Sequence, residues 1–179
     1  MKILGIGNAI VDVICKVNDS FIEQNNLTKS TMKLFFDENE FKILLTNLKI
    51  EKTVSGGSVA NSIVGLSQLG DKVGFIGKVS DDEFGSKYEE GLKKEKVEYF
   101  YSKKKEELPT GTCLILVTPD SERTMCTFLG TAGKINDQDV NENDIKNKSP
   151  NFPAGQNASA SQLLQADEAC MRKTEIHTA

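Results

Sequence analysis

Hydrophobic positions along the chain alternate between two rhythms. The opening run, Lys2 to Val17, carries Ile3, Leu4, Ile6, Ile10, Val11, Val13, Ile14 and Val17. It is β-branched and nearly continuous, which predicts one strand buried on both faces. Gly5 and Gly7 mark places where the backbone is closely approached. "NDSFIEQNNL" predicts a short helix capped by Asp19 or Ser20, and "DENEFKILLTNLK" a helix capped by Asp37. Between them "TMKLFF" reads as a strand, and "EKTVSGG" as a short strand after the second helix. A helix over Val59–Leu69 is stopped by Gly70, and "KVGFIGKV" is a further buried strand. Phe84, Tyr88 and Leu92 recur at spacing four, the mark of an amphipathic helix. "EYFYSKKKEEL" begins as a strand and ends in a charged loop. "GTCLILVTPDSERTMCTFLG" is the strongest hairpin signal in the chain, and "DQDVNENDI" a capped helix start.

Strands and helices thus alternate to about residue 147, which predicts an α/β sheet. "TMKLFF" and "EKTVS" are shorter and more polar, and are expected in a small side sheet. From Lys148 the character changes: two of the four prolines fall there, with Ala, Ser and Gln and no strand pattern. Residues 148–179 are expected to be a disordered tail outside the fold.

Composition narrows the function classes. A net charge of −4 and a pI near 5.2 disfavour a dedicated nucleic-acid binder. The apolar N-terminus is too polar to span a membrane, broken by Gly5, Gly7, Asn8 and Asp12. Cys15, Cys113, Cys126 and Cys170 form no C-x-x-C pair, and the first three, inside apolar or strand-like runs, read as buried thiols, which implies a reducing, cytoplasmic setting. His177, the only histidine, lies in the odd tail, so His-based catalysis is not expected.

Three stretches invite a phosphate-loop reading. "GIGNAI" has Ile10 where a dinucleotide fingerprint needs its third glycine, which disfavours a nicotinamide-binding domain. "GFIGKV" lacks the spaced glycine and the Ser or Thr of a P-loop. "SGGSVAN" fits better. Gly56 and Gly57 let the chain turn without side chains in the way, and Ser58 can cap the helix. Asn61, one turn inside, carries an amide that both donates and accepts, as hydroxyl recognition requires. The plain alternative is an ordinary glycine turn. Asp12 is expected at the carboxyl end of the first strand, where open α/β sheets hold ligands. Its carboxylate could take two neighbouring hydroxyls, or simply cap a turn. Arg123, in the hairpin turn, either reaches a phosphate or sits in water.

"GIGNAIVD", "SGGSVANSIVGLSQLG", "GKVSDDEFG" and "PTGTCLILVTPDSERTMCTFLGTA", in this order, closely resemble the N-terminal half of PfkB-family (ribokinase-like) kinases, most of all the adenosine kinase-like branch. The resemblance covers residues 2–147. It implies a three-layer α/β/α sheet with a small β-sheet lid, and ATP-dependent, Mg²⁺-assisted phosphorylation of a hydroxymethyl group on a sugar or nucleoside. By position it implies that Asn8 and Asp12 hold the sugar hydroxyls and that Gly56, Gly57 and Asn61 form the wall of the same pocket. Arg123 would stand near the phosphate-transfer zone. "TMKLFF", "EKTVS" and part of "EYFY…TCLIL" would form the lid, with Met32 and Leu34 facing the ligand and a homodimer through the lid strands left open. The family's second signature, whose G-A-G-D run supplies the anion hole and the catalytic base, does not occur in these residues. No catalytic residue and no ATP site is therefore expected here, as in a truncated, frameshifted or fused product. Two functions follow: the substrate-binding and lid half of such a kinase, or a non-catalytic sugar-binding or dimerisation module derived from one.

Overall fold

The computed structural model describes residues 3–140. Its apolar opening run forms two strands instead of the expected one, β1 (Ile3–Ile6) and β2 (Ile10–Lys16). They part at Gly7-Asn8-Ala9 and enter different sheets. β2 is mostly buried and β1 partly so, and both are apolar, so the hydrophobic pattern carries no sign of the break.

The elements that follow are α1 (Asp19–Gln24), β3 (Met32–Phe35), α2 (Glu38–Thr46), β4 (Ile50–Gly56) and α3 (Ser58–Gln68). Then come β5 (Val73–Ile76), α4 (Glu83–Lys94), β6 (Glu98–Tyr99), β7 (Gly111–Val117) and β8 (Arg123–Phe128). Two short 3₁₀ segments, Gly130–Lys134 and Asp137–Asp139, complete the described chain. In the second of these Asn136 forms a capping box with Asp139, where "DQDVNENDI" predicted a capped helix. The tail expected over 148–179 lies outside the described residues. Among those described, no helix is long and apolar enough to cross a membrane.

The strands make one parallel sheet, ordered β1-β5-β6, and one mixed sheet, ordered β3-β8-β7-β2-β4. The mixed sheet is the expected lid, but larger. "TMKLFF" and "EKTVS" supply only its two outer strands, β3 and β4, around β2 and the β7–β8 hairpin. "EYFY" does not belong to it: β6 pairs with β5, Gly74 opposite Glu98.

One face of the mixed sheet is core. Val11, Val13, Leu114, Leu116, Cys126 and Phe128 pack there with Ile22 of α1 and Phe41 and Leu44 of α2. The caps are local and specific. Asn18, one residue before the expected Asp19, accepts from the Phe21 N–H at 3.0 Å, and Asp37 accepts from the Glu40 N–H at 2.9 Å. Each satisfies a donor that the helix itself cannot.

Helix α4 joins the two sheets. The Tyr88 ring, fully buried, packs against Phe75 of β5 and Tyr99 of β6. Its hydroxyl crosses to the other sheet and donates to the Gly56 carbonyl at 3.2 Å. Asp82 holds the helix start. Its carboxylate accepts from the Gly85 N–H at 2.7 Å, the Thr110 N–H at 2.8 Å and the Thr110 hydroxyl at 2.7 Å. "GKVSDDEFG" is therefore a joint between α4 and the residue that leads into β7. Asp82→Ala removes a cap, strands the N–H of buried Thr110 and leaves its hydroxyl only a 3.5 Å contact to the Ser80 carbonyl. It should lower unfolding free energy by about 2 kcal/mol in a urea titration.

Candidate functional site

Gly7, Asn8 and Ala9 carry the chain from the parallel sheet to the mixed sheet, and the site forms at this crossing. Asp12 lies mid-way along β2, not at the carboxyl end of a parallel strand as expected. The parallel strand that precedes it has already ended at Ile6. In the sheet register Asp12 faces Val54 on one side and Cys113 on the other, and Cys113 faces Thr127.

Two glycines fit this arrangement for separate reasons. A Cβ on Gly56 would lie 2.4 Å from Asp12 Oδ2, so the bare backbone is what lets the carboxylate rest there. Gly57 has φ 103°, a left-handed conformation that favours glycine, and a Cβ would lie 2.4 Å from the Asn8 carbonyl oxygen. Asn8 is itself only 5% exposed. The register and these approaches bring Asn8, Asp12, Gly56 and Gly57 together.

Gly57, not Ser58, is the N-cap of α3, and no side chain caps that helix. Ser58 is the first helical residue instead, because the left-handed glycine already turns the chain. The positive end of α3 is thus left to whatever lies before it. Asn61 sits in the first turn, its N–H bonded to the Gly57 carbonyl at 2.9 Å and its side chain exposed.

Electrostatics set Asp12 apart. Burial pushes its carboxyl up to about 6, and no hydrogen bond or ion pair from a described residue reaches the carboxylate. A desolvated acid without a protein partner is a marker of function. Burial, and to a lesser degree the nearby Asp12, pushes the Cys113 thiol up to about 11, so it is a neutral wall group. The Thr127 hydroxyl donates to its sulfur at 3.2 Å. After β8 the chain folds back over this face, where Ala132 and Leu129 pack with Ile10 and Cys113.

The other expected site residues share Asp12's face but not its neighbourhood. Arg123 pairs with Val117, which pairs with Lys16. That is four residues along β2 from Asp12, about 13 Å at the usual strand rise. Met32 is on the outer strand β3, three strands from β2. Leu34 is in Asp12's own row, opposite Thr127, but equally distant across the sheet. Sequence reasoning misses Tyr88, which holds the Gly56 carbonyl, and Cys113 and Thr127, which flank Asp12. Tyr88 reads as an ordinary helix stripe; the other two are revealed only by register.

Comparison with known proteins gives this geometry a context. The profile of the pfkB family carbohydrate kinases matches residues 31–173. The match runs past residue 147, into the segment expected to be a tail. A 5-dehydro-2-deoxygluconokinase of Mesomycoplasma hyopneumoniae is 33% identical over 93 residues, which are 52% of this chain and 28% of that protein. A probable sugar kinase of Rhizobium etli superposes with a TM-score of 0.69 at 34% identity, covering 78% of this chain and 42% of that one. An adenosine kinase of Sinorhizobium meliloti superposes with a TM-score of 0.73 at 27% identity, covering 97% and 54%. The chain spans at most about half the length of these relatives. With a ribokinase-like fold and a family match over most of its length, the chain belongs to the pfkB family of carbohydrate kinases.

Proposed function

We propose that these residues form the substrate-binding and lid part of an ATP-dependent kinase that phosphorylates a hydroxymethyl group of a sugar or nucleoside. The observation that carries the reading is the unpartnered, desolvated Asp12 carboxylate resting on Gly56. A carboxylate held this way gains most from two adjacent hydroxyls, which replace the water it has lost. Gly57 and Asn61 add backbone and amide partners from the uncapped start of α3. The mixed sheet covers the sugar from Asp12's side, and its closure would exclude water from the transfer.

ATP supplies the phosphoryl group when bound. The base that takes the hydroxyl proton and the anion hole belong, on this reading, to a G-A-G-D region that these 179 residues do not contain. Among the described residues no cluster of acidic, thiol or imidazole groups could hold a divalent ion such as Mg²⁺. The reading places the protein in the cytoplasm, consistent with three buried free thiols.

This chain should bind a sugar diol weakly and release no ADP. The check is to incubate it with ATP, Mg²⁺ and adenosine, ribose or fructose, and to follow ADP. Turnover at kinase-like rates would overturn the assignment of the base to another region. The second reading, a non-catalytic dimerisation module, is favoured by outer strand β4, where Ile50 is 43% and Val54 39% exposed. A chain that dimerises in sedimentation but binds no sugar would support it over the first.

A further inference from the structure

A second buried polar cluster lies where the parallel sheet ends. β5 stops at Ile76, and Gly77 runs so close to the crossing that a Cβ on it would lie 2.8 Å from the Gly7 carbonyl oxygen. The next residue, Lys78, turns its side chain inward, 7% exposed. Its ammonium donates to both carboxylate oxygens of Asp139, at 3.1 and 3.0 Å, and stands 3.4 Å from Glu106 Oε2. The Asp139 side chain is 3% exposed. Glu106 also accepts from the Tyr101 hydroxyl at 2.7 Å, and its N–H donates to Ser80 Oγ at 3.3 Å. The Lys104 carbonyl accepts from the Asp81 N–H at 2.9 Å. The stretch "YSKKKEE", expected as a charged loop, is thus pinned back onto residues 78–81. Lys104 adds a second ammonium on the exposed side, 3.4 Å from Asp139 and 3.7 Å from Glu106.

A buried ion pair of this kind adds little net stability, because desolvating two charges offsets most of their attraction. Apolar side chains of similar volume would hold the fold as well. What the pair adds is one fixed position for the element that carries Asp139. That element is the segment that folds back over the Asp12 face. It leaves β8 at Leu129 and turns at Gly130, whose φ is 51°. The Thr131 N–H ties it to the Pro109 carbonyl at 2.9 Å, and Ala132 and Leu129 close over Ile10 and Cys113. The fit is close: a Cβ on Gly111, opposite Ile10 in the register, would lie 2.7 Å from the Leu129 carbonyl oxygen and 3.1 Å from Ala132 Cβ. Asp12 is one row further along β2, opposite Cys113. Beyond Ile135 the same segment reaches Asp139 and its anchor on Lys78.

We propose that Lys78 is a positioning residue for the Asp12 site: through Asp139 it holds the segment 129–140 shut over Ile10 and Cys113. The part of this inference that concerns substrate rests on the reading of Asp12 as the hydroxyl-binding residue. With the bridge intact, the segment is a fixed wall at one end of the Asp12 row and keeps water from that end. With the bridge broken, the segment opens as a local unit, and the core on the other face of the mixed sheet stays closed. The strap that carries Glu106 holds Lys78 from its other side, so the lysine keeps its place when Asp139 leaves.

Thiol labelling of the full chain tests the bridge without any ligand. Cys113 lies in the small cluster beneath the segment, whereas Cys15 and Cys126 lie in the main core. N-ethylmaleimide labelling is followed for each cysteine by mass spectrometry. Asp139→Ala should label Cys113 about tenfold faster than the parent or more, leave Cys15 and Cys126 unchanged, and show little dependence on low urea, the marks of local opening. Lys78→Met should do the same, and the two combined should label Cys113 no faster than the faster single variant, since both break one bridge. In calorimetry Asp139→Ala should weaken ribose or adenosine binding by about threefold or more. Unchanged Cys113 labelling in both single variants, a joint rise of all three thiols in both, or effects that multiply in the double variant would overturn the bridge as the hold on the segment. A segment that opens while sugar affinity stays intact would overturn the positioning role. If the parent binds neither ribose nor adenosine, and neither slows its Cys113 labelling, the reading of Asp12 fails and takes the positioning role with it, whatever the variants show of the bridge.

Discussion

Asp12→Asn should weaken sugar binding by about 100-fold or more and, at the same time, raise the melting temperature. The first effect follows from what a carboxylate offers that an amide does not. Two hydroxyls donating to a charged oxygen pair contribute roughly 1.5–3 kcal/mol each, and losing that charge costs two decades of affinity or more. The second effect follows from burial. The Asp12 carboxyl is pushed up to about 6 in the folded chain, from an ordinary value of 3.8. Between these values the folded state binds more protons than the unfolded one, so stability falls as pH rises through the window. Above about pH 6 the whole penalty is present; below about pH 4 it is gone. Allowing for the partial exposure of the group, the penalty is on the order of 1 kcal/mol, which is a few degrees in melting temperature for a chain of this size. The parent should therefore gain stability from pH 7 to 5 relative to the variant, and should lose sugar affinity over the same range as the carboxylate protonates. Thermal melts at both pH values and calorimetry at pH 7.5 measure these effects. An Asn variant that binds sugar like the parent, or melts lower at pH 7.5, would remove Asp12 from the site.

Much of this site is legible in the amino-acid sequence alone, and the reason is chemical. "SGGSVAN" signals close backbone approach because two adjacent glycines leave a turn free of side chains, and α3 begins there. The β7–β8 hairpin, the Asp37 cap and the buried stripe of Tyr88 and Leu92 follow from local rules and are all present. What stays hidden is non-local. The break at Gly7-Asn8-Ala9 lies inside a nearly continuous apolar run, and periodicity cannot separate two apolar strands from one. A single strand would put Asp12 at the end of the parallel sheet, whereas it sits within β2 of the mixed sheet. Register is equally hidden. That Cys113 flanks Asp12 and that Arg123 lies at the far end of the same face depend on how β2, β4, β7 and β8 align.

The two glycines that touch this site should answer substitution in opposite ways. Gly57→Ala puts a side chain on a residue with φ 103° and drives its Cβ against the backbone oxygen of Asn8. Asn8 belongs to the crossing between the two sheets, and a carbonyl there cannot swing aside. Left-handed strain of about 1–2 kcal/mol then adds to the cost of shifting that crossing, and a total loss near 3–4 kcal/mol is expected in urea denaturation. Gly56→Ala meets the end of the Asp12 side chain instead, which can rotate away. Its φ is not left-handed, and alanine restricts the unfolded chain, so stability should change by less than about 1 kcal/mol. Affinity for sugar should nonetheless fall at least tenfold, because the carboxylate has been moved from where hydroxyls meet it. Stability and binding measured on both variants thus distinguish the glycine that holds the fold from the one that holds the acid. If Gly56→Ala unfolds as readily as Gly57→Ala, Gly56 is structural. If it keeps full affinity, Asp12 does not need the position in which the glycine allows it to rest.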